Sequence, residues 1–302
     1  MIIGCIQGGL ANQMFQYAFY NTICELSDYK LILDLSFYDE DVKHLVQWNI
    51  DPNKVSLKQF KLNVFDFDVN TIKNYNSSEL YSKRYPLYKC KVLTTFYNQI
   101  EKLKPYHKKI HVVQKNNFYD EKLLAVSNNS HLRGFFQHHN YLDHQKGFIN
   151  NLFELKKEFL CKDFLNLKNE FKKQNSISIH VRRGDYVELN HSCSASYYNN
   201  AIKFMESKIQ KPNFVIFSDD ISWCKKNLIF KSKNSFIDEC YELNDYHELI
   251  LMKYCKHNII SNSTFSWWGG WLNQNQNKIV VYPKNIEITL NRDLCPNNWV
   301  RI

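Results

Sequence analysis

The side chains able to do chemistry in this 302-residue chain fall into four short clusters. The densest is His180-Val181-Arg182-Arg183-Gly184-Asp185, in which a His and two guanidinium forks precede a Gly-Asp turn. Forked, permanently charged N–H donors match the oxygens of a phosphate or diphosphate. In Ser218-Asp219-Asp220, the carboxylates can accept from a ribose or a guanine edge, or cap a following helix. Ser263-Thr264-Phe265 brings hydroxyls and backbone N–H groups to the start of an apolar segment, where a helix terminus seats an anion. Gly8-Gly9 would let backbone N–H groups approach a ligand, with Asn12 and Gln13 on the next turn to cap a helix or face a sugar. The dinucleotide fingerprint G-x-G-x-x-G is not met there.

Each cluster falls where a strand pattern meets a helix pattern. In the C-terminal half, Ile177–Val181, Pro212–Phe217, Asn258–Asn262 and Lys278–Pro283 read as buried strands. Ser196–Ile209, Ile221–Leu228, Asn244–Cys255 and the segment after Ser263 read as helices between them. That alternation predicts a parallel sheet with helices on both faces. Ligands bind beyond the carboxyl ends of such strands. The ends after Val181, Phe217 and Asn262 would therefore bring Arg, Asp and Ser/Thr to one crevice, a nucleotide-diphosphate site by convergence. Trp268 and Trp271 are expected in the core.

The N-terminal half opens β-α-β: Ile2–Gln7, a helix with Phe15, Ala18, Phe19, Thr22, Ile23 and Leu26 on one face, then Lys30–Leu35. Phe60–Phe65 alternates like a strand, and His131–Gln137 reads as a strand meeting a turn. Asp39-Glu40-Asp41 is expected to cap a helix or stay solvated. Gln137-His138-His139-Asn140 lacks a third metal ligand, so a polar turn into a helix is favoured over zinc. Leu152–Lys173 is predicted as one charged helix joining two domains, 1–150 and 151–302.

Composition narrows the classes. With 44% hydrophobic and 23% charged residues the chain folds rather than staying disordered. A net charge of +9 favours an anionic partner, without choosing among nucleotide sugar, nucleic acid and membrane surface. The positive charge is scattered and no RNA-recognition motif is present, which argues against nucleic acid. No run of 18 apolar residues exists, and Met1–Gln7 lacks a basic leader. Nine unpatterned Cys point to buried thiols in a reducing compartment, so a cytoplasmic location is expected.

Taken together, the chain resembles the family 11 glycosyltransferases, the α-1,2-fucosyltransferases. The resemblance rests on Gly8-Gly9-Leu-Ala-Asn12-Gln13-Met-Phe-Gln-Tyr, His180-Val-Arg182-Arg183-Gly184-Asp185-Tyr186, Phe217-Ser218-Asp219-Asp220 and Ser261-Asn-Ser-Thr-Phe-Ser-Trp-Trp-Gly-Gly-Trp-Leu272. It implies a GT-B-like α/β fold, two Rossmann-type domains facing across a cleft, with the donor mostly on the C-terminal one and the acceptor on the other. The implied reaction is metal-independent, inverting transfer of L-fucose from GDP-β-L-fucose to a galactoside hydroxyl of a glycan such as a lipopolysaccharide O-antigen or an H-type oligosaccharide. No cofactor is implied beyond that donor. A lipid-linked acceptor would make the enzyme peripheral to the inner membrane face.

By the same resemblance, Arg182 and Arg183 would meet the charge growing on the diphosphate, and His180 would hold the nucleotide or orient the arginines. Ser263, Thr264 and Phe265 would seat the phosphates, and Ser218, Asp219 and Asp220 the guanosine. Gly8, Gly9 and Asn12 would reach fucose and acceptor. Asp185 and Glu188 are the nearest carboxylates for a general base, Asp185 competing with an Arg-pairing role. The alternatives are another linkage or acceptor, or a non-catalytic nucleotide- or RNA-binding protein.

Overall fold

A computed structural model describes residues 1–38, 59–68, 70–72, 75–143, 145–284 and 294–302. Asp39–Asp41 therefore lie outside the described residues. The chain divides into two compact units, Met1–Leu152 and Phe153–Ile302. Each is α/β and built on an all-parallel sheet of the Rossmann type.

In the first unit β1 (Ile2–Cys5) leads into α1 (Leu10–Ser27) and β2 (Leu31–Asp34). Then come β3 (Asn70–Ile72), α2 (Ser77–Arg84), α3 (Lys91–Leu103), β4 (His111–Val113), β5 (Ser130–Arg133), α4 (Asn140–Asp143) and α5 (Lys146–Leu152). The strand order is β3-β2-β1-β5-β4. The apolar face of α1 lies on β1 so closely that a Cβ on Gly4 would sit 2.2 Å from the Tyr20 ring. Tyr20 Oη donates to the Cys5 carbonyl at 2.8 Å, which satisfies the buried hydroxyl.

The second unit runs α6 (Lys162–Lys173), β6 (Ser176–Val181), α7 (Gly184–Glu188), α8 (Ala195–Lys208), β7 (Asn213–Ser218), α9 (Ile221–Asn227) and β8 (Lys233–Ile237). It continues with α10 (Asp245–Tyr254), β9 (His257–Ile259), α11 (Thr264–Leu272), β10 (Val280–Tyr282) and β11 (Val300–Arg301). The order β11-β10-β9-β6-β7-β8 is the Rossmann order, so the direction of winding reverses between β6 and β9. β6 is buried throughout: Ile177, Ile179 and Val181 pack on one face, and Ser176, Ser178 and His180 on the other are buried with hydrogen-bond partners. Trp267, Trp268 and Trp271 are buried as well.

Three expectations from sequence fail for local reasons. Leu152–Lys173 is not one helix: a bridge at Leu155 and a 3-10 turn at Lys157–Phe159 precede α6. Phe153 packs edge-on against Trp268 at 5.2 Å, and His247 Nε2 donates to the Phe159 carbonyl at 2.6 Å, which ties that carbonyl to α10. Phe60–Phe65 is not a strand but a 3-10 turn, Leu62–Val64, because Gln13 on α1 takes its backbone groups. Gln13 Nε2 donates to the Gln59 carbonyl at 2.7 Å, and Gln13 Oε1 accepts from Lys61 N at 2.9 Å. The thiols are not all buried either, since Cys90 and Cys240 are exposed. No helix among the described residues is long and apolar enough to cross a membrane.

Candidate active site

In the second unit the residues singled out at β6, β7 and β9 meet beyond the carboxyl edge. His180 is buried near the end of β6, and its Nδ1 lies 2.9 Å from Ser261 Oγ, just past β9. Burial, then the nearby Arg182 charge, push the His180 pKa down to about 3, so the ring is neutral. Its role here is to tie the two strands flanking the switch point.

The two arginines that follow are held by Asp219 and Asp220, just past β7, and by Asp185 on α7. Arg182 binds Asp185 through Nη2 at 2.5 Å and Asp219 through Nη1 at 2.7 Å, with its Cζ 5.5 Å from the Tyr186 ring centre. Arg183 Nε meets Asp220 Oδ2 at 3.1 Å, and its guanidinium lies 4.2 Å over Trp223. Asp219 Oδ1 also accepts from the Arg183 backbone N–H at 2.8 Å. A Cβ on Gly184 would approach Asp219 Oδ2 to 2.9 Å, so the turn needs a residue without one. Asp220 caps α9 by accepting from Trp223 N at 2.9 Å, and Ser218 Oγ accepts from Asp220 N at 2.9 Å. Asp219 and Asp220 thus hold the arginine turn in place, and Asp185 pairs with Arg182.

The start of α11 is fixed from several directions. Ser263 caps it by accepting from Phe265 N at 3.3 Å, and Tyr186 reaches Ser263 by a side-chain hydrogen bond. Phe265 lies against His180, ring centres 5.2 Å apart. Gly269 lets the helix press on α10, since a Cβ there would meet Met252 Cβ at 2.7 Å. At the other end Lys278 Nζ donates to the carbonyls of Gly270 and Asn273 at 2.8 and 2.7 Å. A cation on the last carbonyls complements the helix dipole, whose positive end is at Ser263–Phe265. Thr264 opens that first turn.

Beside this edge, beyond β7 and β8, lies a cavity of about 710 Å³, with Ser218, Asp219, Asp220, Asp238, Tyr241 and Glu248 on its wall. Glu248, on α10, went unnoticed in the sequence because it reads as an ordinary polar helix position. Burial, then Asp245 and Asp219, push its carboxyl up to about 7. Among the described residues no group of three or more His, Cys, Asp or Glu side chains is arranged to hold a metal ion.

The first unit has its own carboxyl edge, at the loop after β1 and the segment after β5. Gly8 has φ +79°, a conformation few side chains tolerate, and its carbonyl accepts from Gln13 Nε2 at 2.9 Å and Tyr38 Oη at 2.8 Å. Gly9 caps α1 with extended backbone. Asn12 Oδ1 accepts from Gln137 Nε2 at 2.9 Å, joining the loop after β1 to the segment after β5. Gln137, first read as part of a His-rich turn, is therefore the partner of Asn12.

A Rossmann-type unit with two arginines and a helix N-terminus at its switch point, in a chain that also carries a second parallel α/β unit, defines the class as a two-unit α/β protein. The chain belongs to glycosyl transferase family 11, whose model matches residues 1–302, and it is a glycosyltransferase. It is 30% identical over 320 residues to the O-antigen biosynthesis glycosyltransferase WbnK of Escherichia coli, covering 99% of both chains. It is also 30% identical to an alpha-1,2-colitosyltransferase of Escherichia coli, covering 100% of this chain and 99% of the other. A galactoside 2-alpha-L-fucosyltransferase of Bos taurus is 28% identical over 32% of this chain and 28% of its own length.

Proposed function

We propose that the protein moves L-fucose from GDP-β-L-fucose, with inversion, to the 2-hydroxyl of a galactoside in a glycan such as an O-antigen. The observation that supports this best is the junction of Arg182, Arg183 and the α11 start across the β6/β9 switch point, held by the His180–Ser261 bond. As the bond from sugar C1 to the diphosphate oxygen breaks, negative charge grows on the leaving group. Fixed guanidinium groups and backbone N–H donors aimed at that charge lower the barrier. Arg182, Arg183, Ser263, Thr264 and the Phe265 backbone carry that work in this reading, which requires no divalent cation. Activity that survives EDTA supports the metal-free reading, and its loss removes it.

The cavity beyond β7 and β8 is assigned to the nucleoside. Guanine presents N1–H and N2–H donors on one edge, and the carboxylate of Glu248 is a matching acceptor. Asp185 positions Arg182 through their ion pair. Gly8, Gly9 and Asn12 are assigned to fucose and acceptor from the first unit.

The similarity over the whole chain to an alpha-1,2-colitosyltransferase supports a second reading in which the sugar moved is colitose, carried on a nucleotide donor. Incubating the protein with each donor and β-galactosides, and reading product mass and linkage, separates the two. An α-1,2-fucosyl product establishes the first reading. Absence of both transfer and donor hydrolysis overturns both.

A further inference from the structure

Helix α3 is amphipathic, but only part of its apolar surface is covered. Leu93, Tyr97 and Ile100 are half-buried on the first unit beside the buried Glu101, and the exposed side mixes Gln99 and Lys102 with large apolar side chains. Glu101, 5% exposed, accepts from Ile110 N at 2.7 Å and pairs with Lys104 Nζ at 2.7 Å and Tyr85 Oη at 2.7 Å. Tyr97 stacks on Tyr85 at 4.4 Å, and Thr94 Oγ1 donates to the Tyr88 carbonyl at 2.7 Å. The opposite side carries Val92, Phe96 and Leu103, which are 82%, 58% and 86% exposed. Steps of four and seven residues put all three on one stripe. Leu87, in the turn before the helix, is 60% exposed. Scattered exposed apolar residues are ordinary, but a stripe of this kind has an occupant.

Charge identifies which one. Residues 77–109 hold eight Lys or Arg and two acidic residues, so this stretch has net +6 of the whole chain's +9. Both acids are already paired, Glu79 with Lys83 and Glu101 with Lys104. A second copy of this chain would bring the same +6 against it, and four side chains fall short of the roughly 800 Å² per partner that stable dimers bury. An apolar stripe bordered by lysines is instead the pattern of a helix lying in the interface of an anionic bilayer. We infer that α3 docks this enzyme on an anionic lipid surface, with Val92, Phe96 and Leu103 entering the headgroup–acyl boundary and the surrounding lysines facing lipid phosphates. The inference concerns attachment and is independent of which sugar is transferred.

The test is flotation of the full chain with phosphatidylcholine vesicles, with and without 30% phosphatidylglycerol. Wild-type protein floats with the anionic vesicles and much less with the neutral ones. The triple variant Val92→Glu, Phe96→Glu, Leu103→Glu loses at least tenfold in vesicle binding, while its circular dichroism and transfer to a short water-soluble acceptor match wild type. Lys89→Glu with Lys102→Glu, which leaves the stripe intact, weakens binding and removes its salt dependence. Equal flotation of wild type and triple variant overturns the assignment, as does failure of wild type to float. A wild-type dimer in light scattering that the triple variant abolishes assigns the stripe to a second copy and also overturns it.

Discussion

His180 Nδ1 lies 2.9 Å from Ser261 Oγ, and that contact joins the ends of β6 and β9 across the switch point of the second sheet. The first sheet has a counterpart in Gln137 Nε2 and Asn12 Oδ1, 2.9 Å apart, which join the segments after β5 and β1. In each unit the segments at the carboxyl edge of the sheet are held by a side-chain bond between residues distant in sequence. Pre-set loops of this kind spare a transition state the cost of arranging them.

Removing the Ser261 hydroxyl leaves a buried imidazole nitrogen without its partner. Ser261→Ala is expected to destabilise the protein by about 1–3 kcal/mol in urea or guanidinium unfolding. An activity loss larger than the stability change explains would show that the bond also sets the arginine turn. A stability change under about 0.5 kcal/mol would show the bond to be dispensable.

Acid should loosen the same place. His180 is held near a pKa of about 3, against an ordinary 6.5, by burial and then by Arg182. Between those values the unfolded chain binds the proton and the folded one does not, so stability falls as pH drops from about 6.5 toward 3. His180→Gln should flatten this part of the stability–pH curve by one proton relative to wild type. Superimposable slopes would exclude His180 as the source.

The arginines separate by charge and by fork. Arg183→Ala and Arg182→Ala should each lower kcat by roughly 10²–10³-fold, by analogy with the loss of one oxyanion donor. Arg182→Lys keeps the charge but cannot span Asp185 and Asp219 as a fork. It should recover only part of the loss. Wild-type kcat in Arg183→Ala would remove Arg183 from the diphosphate role.

Glu248 supplies an opposite pH signature. Its carboxyl pKa is raised from 4.5 to about 7, chiefly by burial, so the folded state binds a proton that the unfolded state has released. Stability from this group is present below 4.5 and is lost as pH rises through about 7. Glu248→Gln should be more stable than wild type at pH 8 and nearly equal to it at pH 4. If the carboxylate reads guanine, GDP affinity rises with pH through about 7, and Glu248→Gln abolishes that rise together with the preference for GDP over ADP. A titration calorimetry profile independent of pH would detach Glu248 from the base.

The parts of this architecture that were readable from sequence share a cause. The strands at Ile177–Val181 and Phe214–Phe217 are buried on both faces: Phe214–Phe217 is an unbroken apolar run, and Ile177, Ile179 and Val181 alternate with Ser178 and His180, so either pattern reads directly as a strand. The clusters after β6, β7 and β9 were visible because charged and hydroxyl side chains follow those patterns abruptly. Edge strands left weaker traces: β8 reads Lys-Asn-Ser-Phe-Ile, β4 has three residues, and β11 has two. Their identity comes from a neighbour's hydrogen bonds, which local pattern does not encode. The break at Phe153–Cys161 and the turn at Leu62–Val64 were set by His247 and Gln13, residues far away in sequence. Glu248 was hidden for the same reason, since its unusual acidity arises from what folds around it.

The order of the second sheet also bears on how the protein is made. Strand β6 pairs with β9, Ile177 facing His257, although β7 and β8, which lie on its other side, come between the two in sequence. On a ribosome, Arg182 and Arg183 emerge some 80 residues ahead of Ser261 and the α11 start that complete their surroundings. Forming this distant parallel pair is a slow, late event with exposed strand edges in the interim. The arginine turn therefore gains its full surroundings near the end of folding, and C-terminal truncation into α11 yields a chain with its arginines but without the helix start that faces them across the switch point.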